Sequence, residues 1–329
     1  MILKTIINIQ QSATLLVYTM TRLSEEEKKY LIYQIYSHRY DDPWIANKKV
    51  AKLVNHSIST VNRYARHAEE SLTILNPHLR LKPYSRKAAL LQFEDKWSAF
   101  NQLRECAGIE YLTVYQGTWD IIAVCSMDID FSQIPGYKRK ILEGVQGEIF
   151  TPKVRYTTWE KSFAAMENLL QQETVQKSRI ECNPCSPEWS TEEWCMYHYF
   201  KSDVRKKFSY LRKEHLISWR MYEEWKKSVR DYCNILVSYF PEGYHAYDQL
   251  SLCIKTDCEQ FVVNVFSQLP TTPNFYKIGD YLFATVYVSK DYRFSMKMYG
   301  IISTMQNQGV ITQYMDGKGI VMLHDEVVT

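Results

Sequence analysis

The chain has 329 residues, 46% of them hydrophobic and 23% charged, with only 11 Gly and 10 Pro and a net charge of +3. That balance describes packed globular material in about two or more domains of ~150 residues, and it excludes disordered, collagen-like and low-complexity classes. No apolar run reaches the roughly 18 to 20 residues a bilayer span needs, and the small net charge means that any basic surface must be local. The eight cysteines lie scattered through ordinary secondary-structure patterns, as reduced thiols of a cytoplasmic protein do rather than a disulfide framework. The first twenty residues carry Gln and Asn through their middle and no small-residue cleavage site, so they read as an N-terminal extension rather than a signal peptide, with Met20 an alternative start.

In chain order, Ser24 with Glu27 offers a capping box that opens a helix over Ser24 to Ser37, followed by helices over Asn47 to Asn55 and Ser59 to Leu75. Strand patterns follow at Ala88 to Phe93, Glu110 to Tyr115 and Trp119 to Ser126, with a helix at Lys96 to Cys106 between the first two. A helix near Tyr137 to Leu142 and a strand at Val154 to Trp159 complete a β-α-β-β-α-β order. The segment Gln171 to Pro187 is Pro-bearing and reads as a linker. Beyond it the plan repeats: Ser190 with Glu193 repeats the capping box, and strand Leu250 to Lys255, helix Glu259 to Leu269, strands Phe275 to Ile278 and Tyr281 to Val288, helix Phe294 to Gln306 and strand Ile311 to Tyr314, with Gly319 to Leu323 as a possible extension, follow in the same order. Ile58-Ser59 is echoed by Ile217-Ser218, and Gly117-Thr118-Trp119 by Gly279-Asp280-Tyr281.

The fold class expected is therefore α+β: winged helix-turn-helix units plus βαββαβ ferredoxin-like domains, duplicated in tandem. The domains fall at 1–20 (extension), 21–84 (winged helix-turn-helix), 85–170 (first βαββαβ domain), 171–187 (linker), 188–247 (a degenerate winged helix-turn-helix) and 248–329 (second βαββαβ domain).

The segment Asn47 to His67 has helix-turn-helix spacing: small Ala51 for close helix approach, Asn55 for a left-handed turn, and Val61 facing the core. Lys48, Lys49, Lys52, Arg63 and Arg66 give +5 with no acid between them. On this reading Ser59, Thr60, Asn62, Arg63, Arg66 and His67 face the major groove and the lysines neutralise phosphates. The bland alternative is a solvated basic helix pair. In the second unit ten Lys or Arg stand against five Asp or Glu from Lys201 to Asp231, and the small residue and the turn Asn are missing.

With Asn47 to His67 and the turn Gly117-Thr118-Trp119-Asp120 entering Ile-Ile-Ala-Val, the chain resembles the Lrp/AsnC family of transcription regulators, taken twice from about Arg22. The second copy has Leu282 where that family's turn carries Asp. The resemblance implies a pseudo-dimer within one polypeptide, and a small effector such as an amino acid near Gly117, Asp120, Gly279 and Asp280; the two glycines are also plain turn residues. It implies a DNA-binding transcription regulator with double-stranded DNA as partner and a homo-oligomeric state; no nucleophile elbow, phosphate-cradling Gly loop or His-Glu-x-x-His segment stands beside the basic reader, so an enzyme is not expected, and no membrane and no cofactor are expected either.

Three further readings compete. The tandem plan also resembles siroheme decarboxylases, which would make the chain a tetrapyrrole enzyme, although no clustered His-Arg motif stands out. Cys182, Cys185, Cys195 and His198 have zinc-ligand chemistry but an unusually short central spacing, and packed thiols and imidazole are the ordinary outcome. The 25 tyrosines could serve an assembly protein through exposed rings, though most belong in cores.

Overall fold

A computed structural model describes residues 23–82, 86–171, 175–181, 185–324 and 327–328. The first unit opens with α1 (Glu25–Asp41), α2 (Asn47–Leu53) and α3 (Ile58–Glu70). Ser24 and Glu27 form the capping box: the Glu27 amide donates to Ser24 Oγ at 3.2 Å and the Ser24 amide to Glu27 Oε2 at 2.8 Å. Asn55 takes φ 54° at the corner, and the His56 amide donates back to Ala51 O at 3.0 Å. The helix expected to run on to Leu75 stops at Glu70. Leu72 adopts φ 53°, the Thr73 amide donates to Ala68 O at 2.8 Å, and this left-handed closure releases the chain into strand β1 (Ile74–Leu81).

The second unit repeats the layout with α6 (Thr191–Phe200), α7 (Ser209–Glu214) and α8 (Trp219–Tyr232), then strand β6 (Cys233–Tyr239). Strands β1 and β6 pair antiparallel from Ile74 opposite Tyr239 to Leu81 opposite Cys233, so the two front units are joined through one ribbon. Arg205 strengthens that joint. Its guanidinium donates to Ile45 O at 2.8 Å and Asn47 Oδ1 at 2.9 Å, both in the first unit.

The back of the first half comprises β2 (Lys87–Phe93), α4 (Lys96–Leu103), β3 (Ile109–Gly117), β4 (Ile121–Cys125) and β5 (Tyr137–Val145), followed by α5 (Trp159–Leu170). Two expectations are corrected here. Tyr137 to Leu142 is strand, not helix, because the run Lys138-Arg139-Lys140 has no apolar face of either period, and pairing with β2 decides the outcome. Only one 3₁₀ turn, Phe131–Gln133, precedes it. Val154 to Trp159 joins no ladder. Tyrosine hydroxyls of α1 hold this stretch: Tyr36 Oη accepts from the Val154 amide at 3.1 Å, Tyr33 Oη donates to Val154 O at 3.2 Å, and Tyr40 Oη donates to Thr151 O at 2.7 Å. Helix α5 then starts at Trp159, capped by Thr158, and its Phe163, Met166 and Leu170 enter the core of the second half, across the expected boundary.

The second half follows the expected order closely: β7 (Tyr247–Lys255), α9 (Glu259–Phe266), β8 (Asn274–Ile278), β9 (Tyr281–Ser289), α10 (Tyr292–Asn307) and one continuous strand β10 (Gln313–His324).

The strand path runs β5-β2-β4-β3-β10-β7-β9-β8. Its two ends meet. The Gly279 amide donates to Val145 O at 3.0 Å, the Gly147 amide to Lys277 O at 2.9 Å, and Phe150 and Phe275 exchange backbone bonds at 2.9 Å. Eight strands therefore close into a barrel whose outer faces carry the helices. Leu112, Val114, Ile121 and Ala123 pack outward under α4, whereas Leu252, Ile254, Leu282, Ala284 and Val286 pack outward under α9, α10 and α5. Alternation then sends the residues between them inward. Among the described residues no helix is long and apolar enough to cross a membrane.

Candidate functional site

The barrel interior is lined unevenly. Strands β2 and β4 contribute Ala88, Leu90, Ile122 and Val124, which cluster with Trp119, Cys253, Tyr276, Ile278 and Phe283. The facing strands contribute polar groups by the same alternation: Tyr111, Thr113 and Tyr115 from β3, Gln249 and Ser251 from β7, Thr285 and Tyr287 from β9, and Asn274 from β8. Tyr244, on the 3₁₀ turn before β7, joins them.

These groups pair with one another in three small hydrogen-bonded sets. Ser251 Oγ donates to Tyr115 Oη at 3.3 Å and shares a hydrogen bond with Thr285 Oγ1 at 3.3 Å. Tyr244 Oη donates to Gln249 Oε1 at 3.4 Å, and Asn274 Nδ2 donates to Tyr287 Oη at 3.3 Å. The distances are long, so these are weak hydrogen bonds with capacity to spare. Thr113 Oγ1, close to Tyr111, and Trp119 Nε1 are buried and make no hydrogen bond of ordinary geometry among the described residues.

Glycines shape the space. Gly317 on β10 admits the Trp119 and Tyr115 rings, since a Cβ there would lie 3.1 Å from Trp119 Cζ2 and 3.2 Å from Tyr115 Cδ1. Gly319 likewise leaves room for Gln249, whose Nε2 would sit 2.9 Å from such a Cβ.

Burial raises the pKa of every phenol in this group. Tyr111, Tyr115 and Tyr244 are pushed above the ordinary range, and Tyr276 and Tyr287 well above it, with mutual repulsion among the neighbouring phenols adding to the burial effect in Tyr115, Tyr276 and Tyr287. All five are neutral hydrogen-bond donors at physiological pH. A cation stands beside them. Burial lowers the pKa of Arg80, at the end of β1, while Tyr197 of α6 and Tyr111 favour its charged form and Arg86 opposes it. Even lowered, a guanidinium remains protonated. Arg86 pairs with Glu110 at 2.5 Å. The site thus draws on both halves and on both front units.

Strand directions place Tyr111, Gln249, Asn274 and Tyr287 toward the barrel end where β3, β7 and β8 begin and β9 finishes, on the side of the front units, and Ser251, Thr285 and Tyr115 progressively deeper along the interior. The turns bearing Gly117 and Asp120, and Gly279 and Asp280, lie at the opposite end. There Asp120 Oδ2 accepts from the Phe93 amide at 3.0 Å, and a Cβ on Gly117 would strike Asp316 O at 2.5 Å. The structure brings each of these residues to a strand turn; the first turn adjoins the tyrosine network through Tyr115, whose amide donates to Asp120 O at 2.7 Å, with the Trp119 ring 5.4 Å from the Tyr115 ring.

The helix-turn-helix residues stand where the spacing put them. Ala51 and Val61 are buried, and Lys48, Lys49, Lys52, Ser59, Asn62, Arg63, Arg66 and His67 are exposed, with Thr60 half-buried. Asn62 Oδ1 accepts from Asn47 Nδ2 at 2.9 Å and the Arg63 guanidinium lies 5.0 Å from the Tyr64 ring centre. Of the zinc alternative, Cys182 lies outside the described residues. The Cys185 thiol points to Asp231 O at 3.5 Å, the His198 ring stacks on Trp194, and no group of three or more metal-ligating side chains occurs among the described residues.

The tyrosine network was missed at the sequence level because inner-face residues on β3, β7 and β9 read as the solvent side of a half-buried strand. The available signal was the alternating pair Gly317 and Gly319, too small to fill a face by themselves.

No protein-family model and no curated protein matches the chain. Among solved structures, a crystal structure of the siroheme decarboxylase NirDL is similar over 91% of this chain and 93% of that one, at 9% identity and a TM-score of 0.49. A second, of NirDL in complex with an iron-uroporphyrin III analogue, is similar over 84% of this chain and 85% of that one, at 9% identity and a TM-score of 0.46. These are likenesses of fold, and they agree with a tandem α+β architecture. They correct the expectation of a DNA-binding transcription regulator that is not an enzyme: both of these similar structures are of a decarboxylase and neither is of a regulator, and the Lrp/AsnC resemblance stands as a relation of fold alone.

Proposed function

We propose that the chain binds a carboxylate-bearing small molecule at the front end of the barrel and acts on it as an enzyme, with a tetrapyrrole carboxylate as the substrate class and decarboxylation as the reaction. The observation that carries this reading is a barrel interior lined by buried phenols, one of which, Tyr111, lies beside the Arg80 guanidinium at the front end. A guanidinium and phenol donors recognise a carboxylate by charge-assisted hydrogen bonds. An eight-stranded interior has room for side chains or one small group, so an acid arm enters while a macrocycle stays at the mouth beside Arg80 and Tyr197. Transfer of the carboxylate from water to a dry apolar wall, here Leu90, Ile122 and Val124, disfavours the charged ground state relative to departing carbon dioxide. The electron pair left on carbon takes a proton from a phenol, Tyr111 or Tyr115, which water then restores. In this reading the front units 21–84 and 188–247 and the back units 85–170 and 248–329 work as one pseudo-dimer.

The test is titration of the purified chain with siroheme and with uroporphyrin, followed by absorption and by release of carbon dioxide. A shifted band that Arg80→Gln weakens about tenfold or more supports the reading. No shift with either compound, or a shift indifferent to Arg80→Gln and Tyr111→Phe, overturns it.

A further inference from the structure

The two front units differ at one corner in a way the fold does not require. Ser57 and Ser218 are equivalent caps, accepting from the amides of Thr60 at 3.1 Å and Met221 at 3.2 Å, and two residues before each cap the chain turns through the same left-handed conformation, φ 54° at both Asn55 and Leu216. Asn occupies that region at little cost, whereas Leu does so with strain. Leu216 is also 87% exposed. Beside it, Trp219 at the start of α8 is 59% exposed where the first unit has Ile58, and Tyr210 on α7 is 51% exposed. The rings hold one another in place: Phe208 lies 5.3 Å from Trp219, and Tyr210 lies 5.2 Å from Tyr199 and 6.0 Å from His215.

Around this apolar tip, residues 206 to 220 carry Lys206, Lys207, Arg212, Lys213 and Arg220 against Glu214, and of these Arg220 is also held by Glu224 on α8 at 2.8 Å. A copy of the same tip is repelled by that charge, so a symmetric pairing of tips is disfavoured. Glu223 and Glu224 follow on α8 where Asn62 and Arg63 stand in the first unit, so phosphates running along that helix are disfavoured too. What remains complementary is a surface that is anionic outside and apolar beneath.

We propose that the corner Tyr210-Leu216-Trp219 is a docking tip for an anionic lipid surface, with Leu216 and Trp219 entering the headgroup boundary and the surrounding Lys and Arg meeting lipid phosphates. Aromatic and aliphatic side chains flanked by cations are the chemistry of interfacial attachment, which differs from spanning. The attachment is reversible and salt-sensitive, because one Leu and one Trp bury little apolar area and the charges are screened.

The experiment is co-sedimentation of the full chain with phosphatidylcholine vesicles, with and without phosphatidylglycerol, at low and high salt. The expected result is partition onto the phosphatidylglycerol vesicles only, lost at high salt, and lowered about tenfold by Leu216→Asn. That variant keeps the turn, as Asn55 does, so its thermal unfolding midpoint does not fall. Arg212→Gln with Lys213→Gln lowers partition onto the anionic vesicles as well. Absence of partition by the parent chain, partition unchanged by Leu216→Asn, or a Leu216-dependent self-association or binding of a single-stranded oligonucleotide in place of vesicle binding overturns the proposal.

Discussion

Gly144 and Gly279 meet backbone to backbone where the barrel closes: a Cβ on Gly144 would lie 2.6 Å from Gly279 N and 2.8 Å from its Cα. Neither atom belongs to a side chain that could move aside. Gly144→Ala is expected to destabilise the chain by about 1–3 kcal/mol through overpacking, seen as a lower urea midpoint at unchanged slope. Gly279→Ala meets only Gly144 Cα at 3.7 Å but sits at φ +56°, so its smaller cost of about 1 kcal/mol is one of backbone strain.

The inner face of β10 gives a second contrast. A methyl on Gly317 is pressed against the fused ring of Trp119, which is fully buried, whereas a methyl on Gly319 meets the tip of the Gln249 side chain. Gly317→Ala should therefore lower stability by roughly 1–3 kcal/mol and Gly319→Ala by clearly less, with Gln249 turning away. Equal losses in the two unfolding curves would contradict this account of the interior.

The phenols predict a pH response. Tyr111, Tyr115, Tyr276 and Tyr287 have folded pKa values raised first of all by burial, so their contribution to stability is fully present below the unfolded tyrosine value of about 10 and is lost as pH rises toward the folded values. Ultraviolet titration should show these tyrosines ionising only together with unfolding, and Tyr287→Phe should shift alkaline unfolding to higher pH. A smooth titration of all 25 tyrosines in a folded chain would refute the buried network.

The joint between front units supplies a fourth expectation. Arg39 is fully buried, with Glu69 at 2.7 Å as its ion-pair partner, and burial together with the nearby Arg39 charge lowers the Arg205 pKa to about 10. Removing Arg39 leaves the carboxylate of Glu69 half-buried without its cation. Because Glu69 keeps partial access to water and the Arg205 charge nearby, Arg39→Ala should cost about 1–3 kcal/mol, below the loss for a fully buried pair, with differential scanning calorimetry as the readout.

Local features were the readable ones. Both capping boxes, the corner Ala51-Asn55-Val61 and nearly every element after residue 247 follow from residues within a few positions of one another. The repeat was read in a slipped register, because Ile58-Ser59 looks like Ile217-Ser218 while the caps that correspond in space are Ser57 and Ser218. The segment 151–154 was unreadable for a different reason: its backbone is held by hydroxyls of Tyr33, Tyr36 and Tyr40, more than a hundred residues away in sequence. The candidate site was hidden for the same reason, since only closure of the barrel turns the polar faces of β3, β7 and β9 from water to interior.

The lopsided lining of that interior breaks two-fold symmetry. In a dimer of identical subunits every substitution arrives twice, related by the two-fold axis, so an apolar wall cannot face a hydroxylated one. Here Leu90 and Ile122 come from one half and Ser251 and Thr285 from the other, each encoded once. With both halves carried on one polypeptide, the two walls need not match, and the interior is asymmetric in a way that no pair of identical subunits could build.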